Sequence, residues 1–296
     1  MCGIVGLFLK DPALAPRLGA MLGGMLATLS DRGPDSAGYA LYNRTAADAI
    51  KITIRGPRGA DFAAIARRLY DDGGIVPCRV HDTHLVLTVP QLEEAAVRAK
   101  IAEMPDLTIV GVGRCMEIFK EVGRPEVVAE RFGLDGMPGT HGIGHSRMAT
   151  ESAVTTDGSH PFTTAADQCL VHNGSLSNHN GLRRELARQG LSFRTDNDTE
   201  VAAAYMSWRI REGDTLEQTL NSSLGALDGF YTFVFGTESG FGVLRDPIAC
   251  KPAVMAETDR WVAFGSEYRA LVGLPGIDGA DVWEPVPAKT YLWERH

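Results

Sequence analysis

The chain opens with an unbroken apolar run, Ile4-Val5-Gly6-Leu7-Phe8, the pattern of a strand buried on both faces. Pro12 to Leu29 then places Leu14, Leu18, Met21, Leu22, Met25, Leu26 and Leu29 on one helical face, a stripe that reads as core packing. The turn residues of DRGPDSAGYALY close this helix and lead into a second strand, Gly38 to Tyr42. From about Thr45 to Thr140 the strand-like KITIR, HLVLTV and LTIVGVG alternate with helical stretches at Asp61 to Tyr70, Gln91 to Met104 and Pro125 to Phe132, the texture of an inserted α/β segment. After Gly142 the pattern predicts a strand through GIGHSRMAT, a polar loop through Pro161, a strand QCLVHNG, and helices at Gly181 to Gln189, Thr199 to Arg211 and Thr215 to Leu227. Asp214 and Glu217 have capping-box spacing at the start of the last helix. From Gly229 onward FYTFVFG, FGVLRD, WVAFGS and KTYLWE are strand-rich, and no internal repeat or low-complexity tract interrupts them.

At 296 residues the chain is long enough to bury a sizeable core as one large domain or two modest ones. A formal charge of −8, without clustered Lys and Arg, argues against nucleic acid or an anionic lipid surface as partner. No apolar run reaches bilayer length and the N-terminus lacks a basic n-region, so a cytoplasmic protein outside the membrane is expected. The lone Gly111-Val112-Gly113 lacks the third glycine of a dinucleotide fingerprint and reads as a strand-end turn. Cys2, Cys78, Cys115, Cys169 and Cys250 show no metal-type Cys/His spacing; the last four are expected to be buried apolar thiols.

Cys2 differs by its position. A thiol attacks only as thiolate, and at a pKa near 8.5 it needs a base. Removal of Met1 would supply one in the residue's own α-amine, whose pKa of about 7.7–8.0 is near working pH, making Cys2 nucleophile and base together. Asn173-Gly174 is by itself a common turn dipeptide, Asp198 stands where a helix N-cap belongs, and Arg147 alone would read as a surface ion-pair partner.

The motifs MCGIVGLF, RGPDSAG, HSRMAT, HNGSLSNHNGLRREL, TDNDTE, RDPIACKP and GSEYRAL occur in the order in which class II glutamine amidotransferases carry theirs. The chain resembles that family over nearly its whole length, the Thr45 to Thr140 insertion excepted. The resemblance implies an α+β fold, the four-layer αββα sandwich of N-terminal-nucleophile hydrolases, as a single domain over 1–296 with the insertion at about 45–140. It also implies roles: Cys2 as nucleophile on the γ-amide of glutamine, Asn173 and Gly174 as the oxyanion hole, Arg147 as the clamp on the substrate α-carboxylate, and Asp198 as receiver of its ammonium. Thr150 would help to hold the carboxylate and Arg32 would brace the loop around Cys2. Glu151 stands where some relatives carry a substrate-binding His, Ala249-Cys250 replaces a common Gly, and His160 could line the site or be structural.

The chain ends about where an amidotransferase domain ends, so a separate acceptor subunit is expected. Within the family it is most similar to the amidotransferase subunits of glutamate-synthase-like complexes, such as that of N-methylglutamate synthase. That likeness implies partner subunits carrying FMN and an iron–sulfur cluster, with no cofactor in this chain and glutamine or another γ-glutamyl amide as substrate. A stand-alone γ-glutamyl amide hydrolase and a catalytically silent structural subunit are the competing readings.

Overall fold

A computed structural model describes residues 2–69, 77–149 and 154–295. In chain order its elements are β1 (Gly3–Leu9), α1 (Leu18–Ala27), β2 (Ser36–Tyr42), β3 (Ala49–Arg55), α2 (Phe62–Leu69), β4 (Cys78–His81), β5 (His84–Pro90), α3 (Glu94–Ala102), β6 (Thr108–Gly113), β7 (Met116–Val122), α4 (Pro125–Phe132) and β8 (His141–Arg147). Then follow β9 (Phe162–Ala165), β10 (Gln168–Leu176), α5 (His179–Arg188), α6 (Asp198–Arg211), α7 (Leu216–Ala226), β11 (Gly229–Gly236), β12 (Gly240–Arg245), β13 (Val254–Glu257), β14 (Trp261–Gly265), β15 (Asp281–Trp283) and β16 (Thr290–Glu294).

Four layers result. A seven-stranded sheet, β15-β13-β14-β1-β8-β2-β7, faces a five-stranded one, β16-β12-β11-β10-β9. Strand β1 shows why: Ile4 and Phe8 point into the core between the sheets with Val171, Val234 and Phe241, whereas Val5, Leu7 and Leu9 point outward under α1. Every residue of β1 is buried, as the unbroken apolar run requires. On the far side α5, α6 and α7 cover the second sheet, burying Leu186, Val201, Met206 and Leu220 against Tyr231 and Phe233. Each such side chain fully withdrawn from water contributes roughly 1.5–3 kcal/mol.

The stripe from Pro12 is broken into a 3-10 turn, Pro12–Arg17, and the α-helix α1, with Pro16 inside the turn. Gly19 in α1 is needed for contact, since a Cβ there would lie 1.9 Å from the Leu134 carbonyl oxygen. The cap of α7 is Thr215, which forms a capping box with Gln218; Asp214 instead pairs with Arg209 at 2.6 Å.

The segment from 45 to 140 divides. Strands β4-β5-β3-β6 form a separate four-stranded sheet under α2 and α3, with its own core of Ile52, Ile54, Leu85, Leu87 and Ile101. Strand β7 instead pairs along β2 in the main sheet, and α4 packs beside α1 on its outer face. The junction is fastened by a buried ion pair at 2.6 Å between Lys51 on β3 and Glu117 on β7.

Two of the four cysteines expected inside, Cys115 and Cys169, are buried; Cys78 and Cys250 are exposed, on an edge strand and a loop. No described helix is long and apolar enough to cross a membrane.

Candidate active site

Cys2 precedes β1 at the centre of the seven-stranded sheet, and its carbonyl oxygen has two donors. Arg32 Nε reaches it at 3.0 Å and Asn173 Nδ2 at 3.3 Å. Arg32 comes from the turn after α1, Asn173 from β10 of the opposite sheet, so the site straddles both sheets. Arg32 is held in turn by Glu267, which also accepts from Arg269. Burial works to raise the Glu267 carboxyl, but the hydrogen bond and charge of Arg32, with Arg269, outweigh it and hold it below its ordinary value. Ser266 ties the strand start from the other side, accepting from Ile4 N at 2.9 Å through its hydroxyl. A cleft of about 490 Å³ opens beside Ser266 and Glu267, where Arg245, Cys250 and Tyr268 line it.

Arg147 ends β8, one residue past Ser146, which pairs with Gly3 at the start of β1. The turn Arg32-Gly33-Pro34-Asp35 is stapled to this strand end. Asp35 N donates to Arg147 O at 3.1 Å, Asp35 Oδ2 accepts from Ala149 N at 2.8 Å, and a Cβ on Gly33 would lie 2.4 Å from the Ser146 carbonyl carbon. The Arg147 side chain is buried, with Nη1 close to Gly158. Gly174 adopts φ +156°, and a Cβ there would meet Phe230 O at 2.0 Å and His172 Nε2 at 2.8 Å, so only glycine fits.

Asp198 opens α6, but the capping residue is Asn197, whose side chain accepts from Thr199 N. The carboxylate of Asp198 accepts from Leu176 N at 2.9 Å, fixing it to the same strand end as Asn173. Thr150 and Glu151 lie outside the described residues.

Behind these side chains lies a group that the sequence motifs contain but did not single out, apart from His160. His160 Nε2 and His172 Nδ1 each lie 2.9 Å from Thr199 Oγ1, and that hydroxyl donates to Asp198 Oδ1 at 3.4 Å. His145 Nε2 donates to His172 O at 3.0 Å, and its ring stacks on His160 with centroids 3.8 Å apart. All contacts are satisfied together if His160 Nε2 and His172 Nδ1 carry protons, both donating to the threonine oxygen. The three ring nitrogens then left unprotonated, His145 Nδ1, His160 Nδ1 and His172 Nε2, are the three that have no protein partner. Burial pushes His145 down to about 3, drives His160 well below its ordinary value, and lowers His172 against the pull of Asp198, so the cluster is neutral near pH 7. Three of the four members adjoin a motif residue: His145 is two before Arg147, His172 one before Asn173, Thr199 one after Asp198. That adjacency was the available signal.

Three comparisons bear on this geometry. Residues 145–273 match a family described as a glutamine amidotransferase domain. The chain is 59% identical over its full length to the glutamine amidotransferase-like protein GlxB of Rhizobium meliloti, covering 99% of that protein. It is 31% identical to a putative glutamine amidotransferase of Methanothermobacter thermautotrophicus over 99% of this chain and 100% of that one. Among solved structures, the glutamine phosphoribosylpyrophosphate amidotransferase of B. subtilis superposes with a TM-score of 0.61 at 22% identity. That match takes in 98% of this chain but 46% of the other, and supports the fold alone.

Proposed function

Because the chain belongs to the class II glutamine amidotransferases, we propose that Cys2, freed of Met1, attacks the γ-amide of glutamine. The α-amine accepts the thiol proton, the sulfur adds to the carbonyl carbon, and the carbonyl oxygen becomes an oxyanion. The Asn173 amide and the Gly174 N–H receive that charge, which exists only after attack, so their stabilisation lowers the barrier rather than tightening ground-state binding. Collapse of the adduct breaks the C–N bond, ammonia leaves with the proton held by the α-ammonium, and water then releases glutamate from the thioester. Arg147 holds the α-carboxylate with a planar fork and Asp198 the α-ammonium; Thr150 supports the carboxylate, and Arg32 holds the Cys2 backbone. The observation that carries this reading is the Cys2 carbonyl held between Arg32 and Asn173, which delivers a residue from each sheet to one backbone group.

The chain acts as the amidotransferase subunit of a glutamate-synthase-like complex in the cytoplasm. N-Methylglutamate synthase is the best-fitting case, with FMN and an iron–sulfur cluster in the partner subunits receiving the released amine. What supports this is the resemblance of the sequence to amidotransferase subunits of glutamate-synthase-like complexes, together with the four-stranded sheet that stands apart from the sandwich as a surface for a partner. The test is the native mass of untagged protein from its own cells, joined to a glutamine-hydrolysis assay. A large flavin-coloured assembly that uses methylamine in preference to ammonia as co-substrate is expected. A monomer with full hydrolysis unaffected by any 2-oxo acid would leave a stand-alone γ-glutamyl amide hydrolase; an assembly with no hydrolysis would leave a silent subunit.

A further inference from the structure

Lined by none of the residues placed around Cys2, a cleft of about 800 Å³ runs along the seam between the four-stranded sheet and the helical layer over the second sheet. One wall is β6 with the end of α3; the other is β9 with the C-terminal half of α6, and the loop at 190–194 closes one end. Such a volume lies within the range that holds organic ligands, roughly 300–1,000 Å³. Its lining is chemically one-sided: Arg98, Arg194 and Arg211 contribute cations, and among the described residues no Asp or Glu lines it, in a chain whose formal charge is −8. The hydroxyls of Ser192 and Ser207 add neutral donors, those of Thr163 and Thr164 being donated to Ala165 O and Ser207 Oγ, while Trp208 and Leu107 supply apolar surface.

The cations are available to a ligand. Arg98 pairs with Glu94 one helical turn away and Arg211 with Glu212 next to it, both side chains about half exposed at 51% and 54%. Exposed pairs of that kind are weak, so an anion that spans the cleft can displace them. Arg194 is held in place beforehand. Its Nη1 donates to Ile109 O of β6 at 2.8 Å, and its backbone N donates to the buried Glu200 carboxylate at 2.9 Å, which also takes Thr195 N at 2.8 Å. One guanidinium therefore bridges the seam at the cleft it lines, and this preorganisation lowers the entropy lost on binding.

We propose that this seam cleft binds a small organic anion carrying at least two negative charges on an aromatic or apolar body. The arginines take the charged groups and Trp208 takes the body. This does not depend on the reaction proposed for Cys2, because it is read by binding alone.

Isothermal calorimetry of the full chain tests it with three probes: naphthalene-1,5-disulfonate, which has both features, citrate, which has charge alone, and 1-naphthalenemethanol, which has the ring alone. Saturable one-to-one binding of the disulfonate is expected, weaker in high salt. The affinity should fall at least tenfold in Arg194→Ala and in Arg211→Ala, and remain unchanged in Arg124→Ala, an exposed arginine on another face. Arg211 is exposed and removing it should not disturb folding, so its variant keeps the test valid if Arg194→Ala unfolds. Absence of binding by both anions at millimolar concentration, equal affinity in Arg211→Ala, or binding of the neutral alcohol as tight as that of the disulfonate overturns the proposal.

Discussion

Replacing Thr199 by valine keeps the shape of a fully buried side chain and removes the one hydroxyl on which His160 and His172 converge. Two buried imidazole N–H groups then lose their acceptor. A buried polar group left without a partner costs about 1–3 kcal/mol, so the variant should lose roughly 2–6 kcal/mol. Thr199→Ser removes a methyl instead and keeps the hydroxyl, a loss of about 1 kcal/mol. The two variants remove groups of similar size, and only the valine variant strips the network. The assay is urea unfolding followed by far-UV circular dichroism, reading the midpoint at constant slope. With a total stability of about 5–15 kcal/mol, the valine variant should unfold at visibly lower urea than the serine variant. If valine is equal to serine or more stable, the hydroxyl is not the hub, and the tautomers assigned to His160 and His172 are wrong.

Cys2→Ser should abolish glutamine hydrolysis without shifting the melting temperature, since a hydroxyl does not ionise near neutral pH; undiminished turnover would remove Cys2 from the reaction, and intact-mass measurement of active protein should show Met1 absent. Asn173→Ala should lower kcat by roughly 10²–10³ with little change in KM. Arg147→Lys should raise KM, because an ammonium cannot reproduce the fork; equal KM effects in the two variants would show the roles misassigned. Stability should also fall in acid. His84, His141 and His145, buried at about 3, 4 and 3, take up protons on unfolding below the ordinary 6.5, so the unfolded chain binds more protons and stability drops as pH falls from about 6.5. Each contributes about 1.4 kcal/mol per pH unit, and His84→Phe should flatten the slope by about that amount; an unchanged slope would refute its burial as a neutral ring.

The sandwich was legible in the chain wherever burial imposes a period. β1, α1 and the helices α5 to α7 fall within a few residues of the stripes that predict them, because each has one chemically uniform face or, in β1, two. What the pattern did not reveal depends on long-range pairing. Strand β7 carries Glu117, Lys120 and Glu121 among its apolar residues and joins the main sheet only through β2, so Met116–Val122 does not stand out locally. The cap at Thr215 rather than Asp214 was a one-residue choice between two good capping residues, settled by the competing pair with Arg209. At the site, Cys2, Asn173 and Arg32 were named by motif, whereas the His145–His160–His172 cluster needed the fold: its rings come from β8, a loop and β10, and only packing brings them onto Thr199.

The place of β1 between β8 and β14 also sets a schedule for biosynthesis. Ile4 is tied to Ser266, 262 residues further along, so the β14 edge of β1 stays unpaired until that residue leaves the ribosome. At roughly 5–20 residues per second, translation leaves that edge of β1 open for tens of seconds. During that interval the segment around Cys2 lacks its β14 neighbour and is more accessible to the enzymes that trim nascent chains. A polypeptide stalled before Ser266 carries the thiol and its α-amine but lacks the strand that flanks β1 on that side, so the nucleophile's frame is complete only when the chain is nearly finished.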